Sequence, residues 1–267
     1  MKIAVISDIH VDINENYDVK GAMVDYLKDK AIELLLIAGD LSSDPDQSIT
    51  FAKELEKESG VKVFYVPGNH DLWNRDGQYE NNDEIYQMFL EDPRCLSGKS
   101  FAAGDYVIIG DAGWYDFSFG NKKFSEDDFK RMSYHGRIWQ DSIFNSWSKT
   151  SEETCGWFIE RLKEEAEKYR GKKIVLMTHM LSHKAFTVPE DRADWSYFNA
   201  FLGSEKLHEF CKEYNVAYAI CGHVHYRKTF NEDHTTYMCR CLNYHTEWFD
   251  GDDIKEQLER TFEIIEL

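Results

Sequence analysis

The chain begins with KIAVISDIH at residues 2–10, a short apolar run that leads directly to an aspartate and a histidine. An apolar run of this length indicates a buried strand. Four further apolar runs end in the same way, in Asp, Asn or His. Their polar ends are Gly39-Asp40, Gly68-Asn69-His70-Asp71, Thr178-His179 and Gly222-His223-Val224-His225.

The five polar ends are expected to lie together. In α/β proteins, functional groups collect where the carboxyl ends of strands meet the following loops. Helical spacing between the runs, as at 19–31 and 46–59, predicts strand–helix–strand units with parallel strands and right-handed crossovers. A site built from residues 8 to 225 predicts one domain over residues 1–267, because two independent domains would not share a site.

The later part of the chain predicts a different arrangement. The capping-box sequence Thr150-Ser151-Glu152-Glu153 marks the start of a long helix that is expected to reach about Arg170. From Val216 onward the pattern indicates consecutive strands. Residues 228–230, 235–242 and 260–265 are predicted to form an antiparallel second sheet.

Residues 111–147 interrupt the alternation as an aromatic-rich insertion. Ten of them are aromatic, whereas aromatic residues make up 15% of the whole chain. We favour a second small aromatic core that packs beneath a long excursion of the chain. The alternative is a wall or lid of the active site whose rings stack on a substrate, and one segment can serve both purposes.

The polar ends supply ligands for metal ions. Asp8 and His10 are two residues apart, so on an extended backbone their side chains point to the same side and clamp one ion. Asp40 follows a glycine at a strand end, where a tight turn exposes both carboxylate oxygens and allows a bridge between two ions. The remaining candidates are the carbonyl oxygen of Asn69 and the imidazoles of His179, His223 and His225.

This mixed set of nitrogen and oxygen ligands favours a class of metal. It suits Mn²⁺, Fe²⁺ or Fe³⁺, Zn²⁺ and Co²⁺, whereas Mg²⁺ and Ca²⁺ prefer shells made only of oxygen. The set is too large for one ion and suits two. Paired ions roughly 3.5–4 Å apart bind phosphoryl oxygens and lower the pKa of a bridging water to near neutrality. The expected reaction is in-line attack of that hydroxide on phosphorus.

The order, spacing and types of these residues resemble the calcineurin-like metallophosphoesterase superfamily, over a span from Asp8 to His225. The resemblance implies an α/β fold, a four-layer α-β-β-α sandwich of two mixed sheets flanked by helices. It also divides the ligands between the two ions. Asp40 bridges, Asp8, His10 and His225 hold the first ion, and Asn69, His179 and His223 hold the second.

His70 matches the residue that, in this superfamily, contacts the scissile phosphate and protonates the leaving oxygen. A histidine suits this role because its pKa lies near the working pH. Its orienting partner is left open between Asp71 and Asp44. His183, four residues after His179, is within reach of the pocket rim, although a solvated surface position is favoured.

The composition and one missing motif argue against several classes of substrate and binding partner. The formal net charge of −18 argues against long nucleic acid and an anionic membrane, since an acidic surface repels both. Serine/threonine phosphoprotein phosphatases have a motif that resembles Gly-Asp-x-Val-Asp-Arg-Gly. The matching stretch of this chain, residues 39–45, lacks the arginine that clamps phosphate. A small phosphorylated substrate is therefore expected, with Arg137 as a candidate counter-ion for its phosphate.

We interpret the chain as a phosphoesterase that hydrolyses a small phosphate ester, with a phosphodiester favoured. The alternatives among enzymes are an oligonucleotide nuclease that stacks bases on the aromatic segment, and a phosphomonoesterase or nucleotidase. A non-catalytic protein-binding scaffold is least favoured, because such members of the fold typically lose ligands and every ligand position here is filled.

The start of the chain has no signal-like pattern, and no apolar run approaches the ~18–20 residues that span a bilayer, so a cytoplasmic protein is expected. The six cysteines have no paired zinc-type spacing and are expected to be free thiols. The sequence does not predict the oligomeric state.

Overall fold

Two mixed β-sheets pack face to face at the centre of the computed structural model, which describes residues 1–249 and 251–267. In the first sheet three parallel strands lie side by side, and one antiparallel strand borders them. In spatial order this sheet contains β12 (Glu263–Glu266), β1 (Lys2–Ile6), β2 (Leu34–Ala38) and β3 (Lys62–Val66).

The second sheet has four parallel strands in its centre and one antiparallel strand at each edge. A separate small hairpin lies within the aromatic-rich insertion and consists of β6 (Ser133–Tyr134) and β7 (Arg137–Ile138). In spatial order the second sheet contains β10 (Arg227–Glu232), β11 (Thr235–Arg240), β9 (Val216–Cys221), β8 (Lys173–Thr178), β5 (Tyr106–Asp111) and β4 (Ser100–Ala103).

Helices connect the strands. Short 3₁₀ turns occupy 184–186, 199–201 and 245–247. The α-helices are α1 (Val19–Asp29), α2 (Pro45–Ser59), α3 (Asn82–Glu91), α4 (Glu126–Lys130), α5 (Asp141–Phe144), α6 (Ser151–Glu167), α7 (Trp195–Phe198), α8 (Glu205–Glu213) and α9 (Ile254–Thr261).

Residues of the parallel strands alternate between two hydrophobic cores. In β1, Ile3 and Val5 belong to the core between the two sheets, whereas Ala4 and Ile6 belong to the core shared with the helices. β2 and β8 alternate in the same way. Because both faces of these strands are buried, their sequences are continuous apolar runs. The predicted four-layer sandwich of two mixed sheets flanked by helices is confirmed.

Local capping residues fix the helix ends near the site. The Asp44 side chain caps α2 by accepting a hydrogen bond from the backbone amide of Gln47 at 2.7 Å. Gly60 ends this helix with φ at 72°, a left-handed conformation that glycine adopts without strain. Thr150 and Glu153 form the predicted capping box at the start of α6. That helix ends at Glu167, slightly before the predicted end near Arg170.

One expectation about the later strands is wrong. Residues 228–230 and 235–242 were expected to join 260–265 in an antiparallel second sheet. Only β10 and β11 pair in this way, whereas β12 pairs with β1 of the first sheet, with Ile3 opposite Ile265. The preceding residues form α9, because the Asp253 side chain accepts from the amides of Lys255 and Glu256 and starts a helix.

The two sheets are joined at the end where the polar clusters lie. The backbone amide of Ser7 donates to the carbonyl of Arg240 at 2.9 Å, and the amide of Leu242 donates to the carbonyl of Ser7 at 2.9 Å. These bonds connect the end of β1 to the end of β11, so clusters from both sheets are brought side by side.

The segment 111–147 contains both packed and cavity-facing rings. Trp114 and Tyr115 are buried, and their rings stack with centroids 4.9 Å apart. Asp111 anchors the start of the segment, where it accepts from the Tyr86 hydroxyl at 2.5 Å and from Nε of Arg161 at 3.1 Å. The later residues of the segment, which include Trp139, line the cavity described below.

Two further observations concern the cysteines and the possibility of a membrane-spanning helix. All six cysteines are buried and free. Within residues 1–249 and 251–267, no helix combines the length and the apolar character that a membrane crossing requires.

Candidate metal centre

The seven predicted ligands lie at the carboxyl ends of five parallel strands, three in the first sheet and two in the second. They divide into two groups that share one aspartate. We name Asp8, His10, Asp40 and His225 the first-ion cluster, and Asp40, Asn69, His179 and His223 the second-ion cluster.

In the second-ion cluster, the ligand atoms are already within contact distance of one another. Nε2 of His179 lies 3.0 Å from Oδ1 of Asn69 and 3.2 Å from Nδ1 of His223. The same nitrogen lies 3.3 Å from Oδ2 of Asp40. Four potential ligand atoms therefore converge on one point.

In the first-ion cluster the separations are slightly larger. Nε2 of His10 is 3.7 Å from Oδ2 of Asp40 and 4.0 Å from Oδ1 of Asp8. Nε2 of His225 lies 3.5 Å from the same Asp8 oxygen. Oδ2 of Asp40 thus faces both clusters, while its Oδ1 accepts from the backbone amide of His70 at 2.9 Å.

In the second-ion cluster, each of the two histidines uses one ring nitrogen to contact a backbone carbonyl outside the cluster. The other ring nitrogen, which faces the centre of the cluster, is left as an acceptor. Nδ1 of His179 faces the carbonyl of Ala38 at 2.9 Å, and Nε2 of His223 faces the carbonyl of Phe201 at 3.2 Å. A carbonyl only accepts, so these ring nitrogens carry the protons and the opposite nitrogens present lone pairs. Lone pairs that point at one another and at a carboxylate repel, so a cation is needed between them.

Without a metal, that cation is a proton on His179. Burial by itself lowers the pKa of His179, but the adjacent Asp40 carboxylate outweighs burial and raises the pKa to about 10. A divalent ion would displace this proton. The donor set of the second-ion cluster therefore fits a metal.

His10 gives the corresponding test for the first-ion cluster. Both ring nitrogens of His10 are buried, and neither has a hydrogen-bond partner among the described residues. Burial, followed by the charge of His70, holds the pKa of His10 well below its usual value, so the ring is neutral. An unsatisfied buried polar atom costs about 1–3 kcal/mol, which a bound ion would offset.

Five of the seven predicted ligands have a left-handed backbone. This conformation is uncommon outside glycine and costs on the order of 1–3 kcal/mol per residue, and it concentrates at functional sites. The φ angles are 51° for Asp8, 45° for His10, 54° for Asp40, 73° for His223 and 56° for His225.

Steric contacts explain why two positions in the motifs are glycine. A β-carbon added to Gly68 would overlap Oδ1 of Asp40, and one added to Gly222 would overlap Oδ2 of Asp8. Both conflicts involve carboxylates that are held in the site. The glycines before Asn69 and before His223 therefore allow the ligands to approach each other closely.

Asp71 holds the turn that carries Asp40. Its carboxylate accepts from the backbone amides of Gly68 and Asp40, both at 2.7 Å, and from the hydroxyl of Ser48 at 2.6 Å. It also accepts from the amides of the two residues after Asp40. Asp71 is thus a structural part of the site, and within the described residues it makes no hydrogen bond to the His70 ring.

His70 lies beside the first-ion cluster. Its ring centroid is 4.8 Å from that of His10, and its ring stacks on Trp73 with centroids 3.6 Å apart. Nδ1 lies 3.2 Å from Oγ of Ser43, so this hydroxyl takes the place expected for Asp71 or Asp44. Burial, followed by the charge of His179, lowers the pKa of His70 well below its usual value.

Asp141, which sequence reasoning did not identify, organises the second-ion cluster. This buried carboxylate of the aromatic segment accepts from Nδ2 of Asn69 at 2.8 Å and from Nε1 of Trp73 at 2.8 Å. It also accepts from Nε1 of Trp139 at 2.9 Å and Nδ2 of Asn145 at 3.0 Å. Because the Asn69 amide nitrogen is held by Asp141, its carbonyl oxygen faces the cluster.

Glu247 is a second residue that the sequence did not indicate. Its Oε2 lies 2.6 Å from Nδ1 of His225 and fixes the ring so that Nε2 faces Asp8. Carboxylates commonly orient metal-binding histidines in this way. The only sequence signal was a glutamate after the last strand of the second sheet, which by itself carries no information.

A cavity of about 850 Å³ opens from the two clusters. Its wall is largely aromatic and aliphatic, with Trp139, Trp195 and Leu202 among the lining residues. Ile138 is 52% exposed and Phe249 is 94% exposed, and both line the cavity. His183 does not line it, and instead pairs with Glu232 at 3.2 Å.

Comparisons with known proteins were consistent with this geometry. The model of the calcineurin-like phosphoesterase family matches residues 1–227. The uncharacterized protein L509 of Acanthamoeba polyphaga mimivirus is 25% identical over 246 residues, which cover 84% of this chain and 85% of the relative.

A mycobacterial protein is similar in both sequence and structure. The [acyl-carrier-protein] phosphodiesterase PptH of Mycobacterium tuberculosis is 23% identical over 258 residues, covering 91% of this chain and 78% of that protein. The crystal structure of this phosphopantetheinyl hydrolase superposes with a TM-score of 0.74 and 19% identity, over 97% of this chain and 92% of that one. A dimetal phosphatase from Danio rerio shares the fold at a TM-score of 0.51 and 14% identity, over 90% and 86% of the two chains.

Proposed function

Because this chain belongs to the calcineurin-like phosphoesterase family and is a metal-dependent phosphoester hydrolase, we propose that it cleaves a phosphodiester whose organic arm lies in the cavity. In this proposal two transition-metal ions (Mn, Fe, Zn or Co) are held by the first-ion and second-ion clusters, and Asp40 serves both. The observation that carries the proposal is the convergence of acceptor atoms at the inner end of the cavity, with Asp40 Oδ2 facing His10 and His179.

Bound ions would supply positive charge that attracts phosphoryl oxygens and lowers the pKa of water. The residues of the chain orient the reacting groups. Trp73 and Ser43 hold the His70 ring beside the first-ion cluster, and the contact with Ser43 uses Nδ1. Nε2 of His70 is therefore the atom that we assign to give a proton to the leaving oxygen, after the negative charge of a bound phosphate has raised the pKa that burial and His179 lower.

The cavity supports a substrate with an organic arm. A phosphate group alone would occupy a small part of about 850 Å³ and would leave the aromatic wall without contacts. The preference for a diester over a monoester is supported by the mycobacterial relative, whose name describes a phosphodiesterase. The acidic net charge of −18 supports a compact substrate rather than a polymeric anion.

A second candidate substrate is a diester that joins a prosthetic arm to a carrier protein, as in the name of the mycobacterial relative. The observation that favours it is the apolar mouth of the cavity, where the exposed side chains of Ile138 and Phe249 would contact the protein part of such a substrate. In this case the arm would lie in the cavity and the protein would remain outside.

The test is a comparison of substrates with and without added Mn²⁺. We expect hydrolysis of bis-p-nitrophenyl phosphate that exceeds hydrolysis of p-nitrophenyl phosphate, and poor cleavage of duplex DNA. Faster cleavage of holo acyl carrier protein than of the synthetic diester would favour the second candidate. Absence of metal in the purified protein, together with no activity after Mn²⁺ addition, would contradict the proposal.

A further inference from the structure

We propose that the cavity contains a second anion-binding subsite, formed by Arg137 and Arg192, and that the preferred substrate carries an additional anionic group on its organic arm. The inference rests on the proposed function, since it places the phosphodiester itself at the two ion clusters. The additional group is of the phosphate, sulfonate or carboxylate class.

Arg137 is held in place by an aromatic surface. It lies in β7, and its guanidinium carbon is 4.7 Å from the ring centroid of the buried Phe198. The turn of this hairpin is tied to the start of α7 by His135, whose Nδ1 lies 2.8 Å from Oδ1 of Asp194. A guanidinium stacked on a ring keeps its N–H donors free at the edge, where they are available to an anion.

Arg192 approaches the cavity from the segment before α7. Arg192 is one of the residues that line this cavity, together with Trp195 of α7. Tyr226 and Arg137 both line the same cavity. Two arginines from different elements therefore line one cavity.

Neither arginine forms an ion pair with an acidic residue in the described part of the chain. This is unusual in a protein with 49 acidic and 31 basic residues. Arg94, Arg131 and Arg161 each pair with an aspartate, at 2.9, 3.4 and 3.1 Å. A substrate anion would supply the partner that the described residues do not.

The carboxylates on the cavity wall are already engaged. Asp40 faces the ion clusters, Asp141 accepts four hydrogen bonds, and Glu247 holds His225. Among the described residues that line the cavity, negative charge is thus confined to the metal-binding end. Arg137 and Arg192 leave the remaining wall positive and aromatic, which suits one small anion joined to an organic arm.

The experiment uses two sets of p-nitrophenyl alkyl phosphodiesters. In one set the alkyl arm ends in a sulfonate, and in the other it ends in a neutral hydroxyl, with arms of matched and increasing length. Sulfonate is chosen because it binds guanidinium groups but is a weak metal ligand and is not itself hydrolysed. We expect the KM of the best sulfonate ester to be roughly 5- to 20-fold lower than that of its neutral match, and the difference to shrink in high salt.

The variants separate a binding site from a general charge effect. Arg137→Ala combined with Arg192→Ala should remove the sulfonate preference, so that the sulfonate ester and its neutral match have the same KM. Arg131→Ala is the matched control, because this exposed arginine of the same segment pairs with Asp128 and does not line the cavity. Calorimetric binding of the sulfonate ester to chelator-treated protein should show the same dependence on the two arginines.

The outcomes distinguish the two proposals. If the metal-supplemented protein hydrolyses neither set, the proposed diester function fails. If it hydrolyses both sets with equal KM at every arm length, or if the double variant keeps the preference, the second subsite is overturned and the diester function stands.

Discussion

Asp40 is the residue on which both ion clusters depend. Its Oδ2 faces His10 on one side and His179 on the other. Its left-handed backbone is held by the hydrogen bond that its amide donates to the Asp71 carboxylate. A change at this carboxylate is therefore expected to affect both clusters, whereas a change at His10 is expected to affect one.

We predict that Asp40→Asn removes metal from both clusters, whereas His10→Ala removes mainly one ion per chain. The reason is that an amide has one oxygen acceptor and no negative charge, so it cannot bridge two cations. Elemental analysis after dialysis measures the metal content. Asp44→Asn is the control, because an exposed asparagine still caps α2. Equal and mild losses in Asp40→Asn and His10→Ala would argue against a bridge.

We predict that His70→Ala lowers turnover about 10²–10⁴-fold for diesters with poor leaving groups, while metal content stays unchanged. The loss should be smaller for nitrophenyl esters, because a nitrophenolate needs little protonation. The measurement is a comparison of kcat across leaving groups. His234→Ala, an exposed histidine between β10 and β11, is the control. A loss of equal size for all leaving groups would contradict the acid role.

We predict that Asp141→Asn weakens Mn²⁺ binding about 10–100-fold, because the new amide cannot accept from every partner of the carboxylate and the Asn69 oxygen loses its orientation. Calorimetric titration of the metal-free protein measures the affinity, and tryptophan fluorescence reports on Trp73 and Trp139. Asp127→Asn, an exposed change in the same segment, should have no effect. Unchanged affinity in Asp141→Asn would show that Asn69 is oriented by other contacts.

The residues that the sequence revealed are those whose signal is local. Each of the seven candidate ligands follows an apolar run, so position along the chain was sufficient to find them. Asp141 acts on Asn69 across 72 residues, and Glu247 acts on His225 across 22 residues. Neither residue lies in a motif, so only the three-dimensional contacts reveal them.

Among the elements, the parallel strands and the capped helices were predictable for the same local reason. The long apolar runs specify the strands, and the capping residues Asp44 and Thr150 specify where α2 and α6 begin. The partner of β12 was not predictable, because β1 lies at the opposite end of the sequence and its register with β12 depends on tertiary packing. The short helix α9 was missed because most of its residues are polar, so it shows little apolar periodicity.

At α6, we predict that Thr150→Ala lowers the free energy of unfolding by about 1 kcal/mol. The substitution removes the acceptor for the Glu153 amide and half of the capping box, while it leaves the metal centre untouched. Urea unfolding of the two proteins measures the difference. The control is Thr150→Ser, which keeps the hydroxyl and should be close to wild type. A loss as large in Thr150→Ser would show that the cap is not the cause.

For the whole molecule, the family model confirms the resemblance seen in the ordered motifs. The expectations that duplex DNA and phosphoproteins are poor substrates remain predictions, which follow from the net charge of −18 and from the missing arginine in residues 39–45. The fold also carries buried phenols that respond to pH. The hydroxyl of Tyr65 donates to Asp92 at 2.9 Å and that of Tyr86 donates to Asp111 at 2.5 Å.

We predict that stability falls as the pH rises above about 10. Burial raises the pKa of Tyr65 and Tyr86 well above the ordinary value of an unfolded tyrosine. Each folded pKa is higher than the unfolded one, so the stabilisation is complete below about pH 10 and is lost at higher pH as the unfolded chain ionises first. Urea unfolding across this range measures the slope, and Tyr65→Phe should reduce it. A slope that is identical in this variant would show that other groups dominate.

The two hydrogen bonds between Ser7 and the end of β11 have a consequence for hydrogen exchange. They close the sandwich at the end where the ion clusters lie, whereas the short strand β4 forms a lateral edge of the second sheet and pairs there only with β5 among the described strands. The sandwich is therefore expected to open from the β4 edge inward. In deuterated buffer, the amides of Ser7 and Leu242 should be among the last to exchange, even in protein from which metal has been removed.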